Sequence, residues 1–498
     1  MLARRVARRF TQLAPLALML ALFLGWQSAN LGAFAQDYDE GVYLSEAVLV
    51  REGYALYSEV KSPVPPLFIW GLVASFTVAG EANVEAARLA IVLSAALGLA
   101  AAAMIGRRLA PSAGARAGLP AAALLGLMPL WFLYARLAMT DVPSLSLTLA
   151  AIALALRSWR SERRAWLALG GATAAVALLI KLQAAYAAPL LALVVALRPR
   201  RERSGVRWLR GLALDGVMTL AGFLFPFVVV LPLLDLRSAY ELVVRYHWEA
   251  SRLFADRVAS LRTVIAFLRQ HLGWLLLAFT GLAWLAYRRA WRPAILLGGW
   301  FLLVVALLVE HAPLSGHLLL PLVPPLALAG GIALAEALAA LRQGPPARGT
   351  SPYGLRATHY ALLASTTAAV FLTLLLWPAA VRFDVGQILL PPRLPVLQHS
   401  VLPWLVSTVP IDQTIISDDA MVVFRARRRL PPNLTDTSFK RIRSGFLTAD
   451  ELIATAERER PAAIIFWSNR LARLPAWRAW VEGRYVLACQ FGSNQAIF

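Results

Sequence analysis

Three carboxylates fall within four residues at Asp37-Tyr38-Asp39-Glu40, directly after the first long apolar stretch of the chain. Acids this close to hydrocarbon are costly unless they are solvated or used. A carboxylate within hydrogen-bond reach of a hydroxyl can take its proton, so the segment has the residue type for general-base chemistry. The plainer alternative is a solvated loop whose acids cap a helix over about residues 40–52. Tyr43, Tyr57 and the run Lys61-Ser62-Pro63-Val64-Pro65-Pro66 argue for a shaped loop instead. A further acid, Asp141, sits in Arg136-Leu137-Ala138-Met139-Thr140-Asp141-Val142-Pro143, where it either does chemistry or N-caps the helix that follows. Lys181 is a charge inside an apolar stretch, so it needs an anionic partner or must snorkel to an interface. Tyr246-His247-Trp248-Glu249-Ala250-Ser251-Arg252 and the stretch from Glu310-His311 to His317 add imidazole, carboxylate and guanidinium groups, although a lone histidine is more often structural than a ligand. Carboxylates and imidazole at Asp39, Glu40, Asp141 and His247 suit a divalent cation, but their spacing does not compel one. The single cysteine, Cys489, excludes an internal disulfide and a cysteine-based zinc site.

The elements that must position these groups lie in a membrane. Hydrophobic residues make up 59% of the 498, charged residues 15%, and the mean hydropathy is +0.62. That excludes an ordinary soluble globule. The net charge of +21 sits in short bursts between apolar runs, which reads as a topogenic signal and not as a nucleic-acid footprint. Forty-six arginines stand against three lysines, Lys61, Lys181 and Lys440. Where arginine serves almost every cationic purpose, the remaining lysines read either as specific or as codon drift.

Placing each arginine cluster in the cytoplasm gives alternating spans at about 12–34, 84–105, 119–135, 141–157, 165–181, 183–197, 212–232, 270–287, 294–309, 317–341 and 358–380. The basic N-terminus and the stretch from Leu13 to Trp26 read as an uncleaved first helix, although Ala33-Phe34-Ala35 resembles a cleavage site. The segment from Pro65 to Ala79 breaks the parity and reads as interfacial or re-entrant. Asp39, Asp141, the Lys181 turn, His247 and His311 then share the outer face with everything after about Arg382. From Leu394 onward charge rises, short apolar runs at 414–416 and 462–467 alternate with helical stretches, and Thr448 with Glu451 forms a capping box. This predicts a soluble α/β domain over 394–498 attached to a membrane domain over 1–393, with the first outer loop at 34–64.

The Asp-Glu-Gly-Val-Tyr loop, the Ser-Pro-x-Pro-Pro run, the Arg-x-Ala-Met-Thr-Asp-x-Pro segment, the lone Lys181 and the helix start from His317 to Pro325 together resemble the GT-C membrane glycosyltransferases of the protein O-mannosyltransferase and aminoarabinose transferase type. The likeness runs over most of residues 1–380. It implies an all-α polytopic membrane protein with about 11 to 13 transmembrane helices and a small C-terminal extracytoplasmic α/β domain. It implies transfer of a sugar from a polyprenyl-phosphate donor to a glycan, lipid or protein acceptor, usually with inversion, at the outer face of a bacterial-type inner membrane, with the N-terminus cytoplasmic. Asp39 matches the general base, Glu40 the neighbour that holds the site, and Asp141 the supporting acid. Lys61, Lys181 and Arg252 are candidates for the phosphate, with His317, Tyr43 and Tyr57 alongside. Two departures weaken the phosphate site: Val64, not a lysine, precedes the Pro-Pro pair, and Leu318, not an aromatic, follows His317. The resemblance implies no certain cofactor, although a divalent metal at Asp39, Glu40 or His247 is compatible with it, and no nucleic-acid partner. A membrane transporter or flippase, and a noncatalytic assembly scaffold, are the competing readings; paired repeats with broken midplane helices would mark the former.

Overall fold

The computed structural model describes residues 2–33, 37–200, 204–343, 353–389, 401–492 and 495–498. The cleavage-like Ala33-Phe34-Ala35 and the expected domain boundary at 393/394 fall at least partly outside the described residues.

Five helices among the described residues are long and apolar enough to cross a bilayer: Val84–Leu109, Val206–Leu233, Trp291–Glu310, Gly316–Arg342 and Ala357–Arg382. A sixth span arises if Arg257–Gln270 and Leu272–Tyr287, which meet at 86°, are counted as one. Several expected spans are shorter or broken. The 119–135 stretch divides into Gly118–Leu127 and Pro129–Tyr134, because Met128 precedes a proline and is driven to an extended conformation (φ −61°, ψ 122°). The expected 165–181 span ends as a helix at Leu178, and 183–197 opens with a 3-10 turn before Ala187–Ala196. Pro66–Ala79 is a 14-residue helix, about 21 Å long at 1.5 Å per residue and too short to cross the ~30 Å hydrocarbon layer.

The interior is close-packed through small residues. A Cβ on Gly171 would collide with the Thr219 carbonyl, and one on Gly222 with the Ala168 carbonyl, so helices Ala165–Leu178 and Val206–Val230 meet backbone to backbone. Helix Asp141–Arg157 is buried along most of its length between Val84–Leu109 and Ala165–Leu178. The arginines gather at the end of these helices away from Asp141. Arg108 donates to the Ala153 carbonyl, Arg157 lies over Trp166, and buried Asp215 collects Arg164, Arg198 and Arg200 at 2.6–2.9 Å.

The C-terminal unit is a four-stranded sheet with helices. Strands β1 (Ile415–Ser417) and β2 (Ala463–Phe466) are the two apolar runs legible in the sequence, and they pair in parallel. A parallel pair needs a crossover, and helix Ala449–Glu459 lies in it, opened by Thr448, whose hydroxyl accepts from Glu451 N at 3.2 Å. Strands β3 (Cys489–Gly492) and β4 (Gln495–Ile497) complete the order β1-β2-β4-β3. Its own core holds Ile416, Leu434, Leu452, Ile464, Phe466 and Trp477, while Ile415, Met421 and Ile465 join the membrane core instead. The seam is tight. A Cβ on Gly41 would strike the Met421 backbone, so the glycine that follows Asp39-Glu40 lets helix Tyr38–Arg51 seat against helix Ala420–Arg425.

Candidate active site

The three acids of the first loop open helix Tyr38–Arg51, and because successive helical residues turn by 100° they point three ways. Asp37 is the N-cap: Asp39 N donates to its Oδ1 at 3.2 Å, while Oδ2 receives Tyr134 Oη at 3.3 Å and lies 3.9 Å from His317 Nδ1. Glu40 points inward. Arg88 Nε and Nη2 donate to its two oxygens at 2.8 and 2.7 Å, and Ala138 N donates to Oε1 at 2.8 Å. Both side chains of the pair are fully buried, and Arg88 also ties the Leu31 and Ala33 carbonyls. This bidentate clamp fixes the loop to helix Val84–Leu109 and to the segment before Asp141.

Asp39 is the exception. It is partly exposed, and among the described residues no donor hydrogen-bonds its carboxylate. Desolvation, with the charges of Asp37, Asp436 and Asp141, raises its pKa from 3.8 to about 7, against the pull of Lys181. A carboxylate that titrates near neutral pH and carries no donor among the described residues is suited to accept a proton in its ionised form.

Asp141 is the first residue of its helix and not its cap. It is buried, and its Oδ1 takes the Lys181 ammonium at 2.5 Å. Its Oδ2 has no hydrogen-bond partner among the described residues. Lys181 stands in extended conformation (φ −151°, ψ 126°) where the helix broken at Leu178 restarts, which is what turns its side chain toward Asp141. The next residues, Leu182, Gln183 and Tyr186, line a mainly apolar groove of about 290 Å³ with Leu303, Leu307 and His311.

A third wall comes from the C-terminal unit. Tyr38 Oη accepts from Thr437 N at 2.9 Å and donates to Asp436 Oδ1 at 3.3 Å, and the Arg470 guanidinium lies 3.7 Å over its ring. Arg470 is held in place because buried Asp418, at the end of β1, accepts four backbone N–H groups of residues 467–471. His247 donates Nε2–H to the Pro63 carbonyl at 2.9 Å and leaves Nδ1 to accept from Lys440 Nζ at 3.4 Å. Burial and the Lys440 charge push His247 down to about 3, so it is neutral.

Of the residues singled out from the sequence, Asp39, Asp141, Lys181 and His317 gather on one side of the helical body, with Glu40 clamped beneath. Tyr43 packs edge-on against Phe68 under the acids, and burial, with the charge of those acids, raises its pKa. Three others stand apart. The Lys61 ammonium folds back onto the carbonyls of Tyr57 and Ser58, Tyr57 Oη is spent on the Val64 carbonyl, and exposed Arg252 covers the Trp248 ring. Among the described residues no group of three or more His, Cys, Asp or Glu is arranged to hold a metal, and the suggested set of Asp39, Glu40 and His247 is dispersed because Glu40 is committed to Arg88 and His247 to Pro63 and Lys440. Sequence reasoning missed Arg88, Tyr134, Asp436 and Glu46. Glu46 is a fully buried carboxyl raised by desolvation to about 8, which receives Ser62 Oγ at 2.7 Å and Thr435 Oγ1 at 3.4 Å.

A polytopic helical body with broken spans, acids gathered at one end and an α/β unit closing over them has the GT-C membrane fold. Residues 63–229 match the family described as dolichyl-phosphate-mannose-protein mannosyltransferase. The structure is similar to ArnT from Cupriavidus metallidurans in the apo state, at 18% identity over 100% of this chain and 98% of that one, with a TM-score of 0.61. It is similar to the same protein bound to undecaprenyl phosphate, at 17% identity, 98% of both chains and a TM-score of 0.62. It also resembles the oligosaccharyltransferase of Archaeoglobus fulgidus in the apo form, at 13% identity over 95% of this chain and 72% of that one, with a TM-score of 0.58. No curated protein matches the sequence.

Proposed function

We propose that the chain is a glycosyltransferase that moves a sugar from a polyprenyl-phosphate donor to an acceptor hydroxyl at the extracytoplasmic face of the membrane, with Asp39 as general base. The observation that carries this is the contrast among the acids: Glu40 is saturated by Arg88, Asp141 is paired with Lys181, Asp37 caps a helix, and, of these four, only Asp39 has no donor on its carboxylate among the described residues. The acceptor oxygen attacks the anomeric carbon as the bond to the phosphate oxygen breaks. The acceptor proton passes to Asp39, and the electron pair of the broken bond leaves with the phosphate. Attack from the side opposite the phosphate inverts the anomeric centre.

Lys181, paired with Asp141, directly precedes Leu182 and Gln183, which line an apolar groove, so a phosphate drawn to this end of the groove would have hydrocarbon beside it for a prenyl chain. The related fold bound to undecaprenyl phosphate supports a donor of this class. Residues 1–393 form the membrane domain in this reading, residues 394–498 the extracytoplasmic one, and the arginine-rich ends of the helices face the cytoplasm of a bacterial-type inner membrane. Mass spectrometry of envelope lipids and glycans from a deletion strain is expected to show the loss of one glycosylated species, restored by the wild-type gene. An unchanged profile would count against the proposal.

A further inference from the structure

We propose that Lys440, supplied by the C-terminal unit, contacts the donor phosphate and stabilises the charge it gains during transfer; this rests on the glycosyltransferase reading above. When the anomeric C–O bond breaks, the electron pair goes to the phosphate oxygen, and a phosphodiester with one negative charge becomes a phosphomonoester with two. A cation beside that oxygen is worth more in the transition state than in the ground state.

The three lysines of this arginine-dominated chain are in different conditions. Lys61 is turned onto backbone carbonyls, and Lys181 is neutralised by Asp141. Lys440 has no carboxylate within ion-pair distance among the described residues: its Nζ contacts the neutral His247 and lies 5.6 Å from the Tyr246 ring centroid. It therefore brings a positive charge that the protein leaves uncancelled by direct contact. Asp436, four residues before it, is hydrogen-bonded to Tyr38, the neighbour of the proposed base, and the charges of Asp39 and Asp436 act on its ammonium. Burial depresses its pKa, and an anion arriving beside it favours the charged form.

The ammonium is also held. Helix Phe439–Arg443 is capped by Ser438, whose hydroxyl accepts from Arg441 N at 3.3 Å. Buried Arg441 bonds the carbonyls of Asn433, Asp436 and Phe446, fixing the turn that carries Lys440. Asp436 in the same turn is joined to Tyr38, the residue before Asp39. The C-terminal unit thus completes the site with a cation from some 400 residues downstream of the base.

The test uses the full chain in nanodiscs with undecaprenyl phosphate as probe. Lys440→Gln should weaken binding by at least about tenfold, the loss expected for one charge-assisted hydrogen bond. Lys440→Arg should recover most of it, and Arg443→Gln, which removes the same charge from a side chain lying over Phe254, should leave binding within about twofold. With only three lysines, amine labelling read by mass spectrometry gives a second measurement on the unaltered protein: the probe should protect Lys440 and leave Lys61 reactive. Failure of the wild-type chain to bind the probe would defeat the donor reading itself. Wild-type binding with undiminished affinity in Lys440→Gln, equal losses in Arg443→Gln, or no protection of Lys440 would overturn this inference alone.

Discussion

Replacing Arg88 with methionine removes the guanidinium that pairs with Glu40 and leaves the carboxylate at zero exposure beside a thioether. The pair is bidentate at 2.7 and 2.8 Å, and breaking a buried pair from one side costs about 3–5 kcal/mol because a charge is stranded. Two further bonds, to the carbonyls of Leu31 and Ala33, go with it. Glu40→Gln strands the buried Arg88 guanidinium but leaves it the Leu31 and Ala33 carbonyls and keeps an acceptor for Ala138 N, so its cost should be smaller, roughly 1.5–3 kcal/mol. The double variant should fall no further than Arg88→Met alone, since neutral glutamine needs no cation. A double-mutant cycle of denaturant unfolding in one detergent, followed by tryptophan fluorescence, should therefore give a coupling energy of about 2–3 kcal/mol. Transfer activity should drop in all three variants, since the clamp sets the direction of the helix that begins at Tyr38. Additivity to within about 0.5 kcal/mol, or full activity in Arg88→Met, would refute the idea that the clamp positions the base.

Transfer should depend on pH through Asp39: its pKa is raised to about 7, the base works only when deprotonated, and so kcat/KM should climb as pH rises through about 7 and level off above it, as read from initial rates between pH 5 and 9. Glu46 has a folded pKa of about 8 against an ordinary value of 4.5, so the native state holds the proton more tightly. Its contribution is full below about 4.5 and lost as pH rises through about 8, and in Glu46→Gln the fall in melting temperature on the alkaline side should flatten. Lys181→Met strands the Asp141 carboxylate, one of whose oxygens has no partner among the described residues, and should lower stability by about 3–5 kcal/mol in the same unfolding assay. Adding Asp141→Asn should restore much of that stability without restoring transfer.

Charges embedded in apolar sequence were the legible part of the site. Asp39, Glu40, Asp141 and Lys181 stood out because a membrane chain rarely places them without use. Arg88 did not stand out, since one arginine among 46 carries no signal until Glu40 is seen against it. Glu46 carried no signal because nothing local shows that Ser62 and Thr435 close over it. Asp436 was invisible as a site residue, and Lys440 was marked only by the scarcity of lysine, for a different reason: they arrive through the docking of two units at Gly41 and Met421, a long-range contact with no periodicity to announce it. Lys61, Tyr57 and Arg252 had the right chemistry in the right segments, but side-chain direction is set by turns, such as the left-handed Tyr57 (φ 75°), that residue type alone does not reveal. The broken helices show the same limit, since apolar length alone does not tell a span from two pieces hinged at Pro129.

The central claim, that Asp39 takes the acceptor proton, is tested most directly by Asp39→Asn in reconstituted membranes supplied with a radiolabelled undecaprenyl-phosphate sugar and an extract of acceptor lipids and glycans. The substitution keeps the shape of the side chain and removes its basicity, so the account predicts a fall in transfer of about 10²–10⁴-fold with undecaprenyl phosphate still bound. Transfer at the wild-type rate by a properly folded Asp39→Asn protein would contradict it.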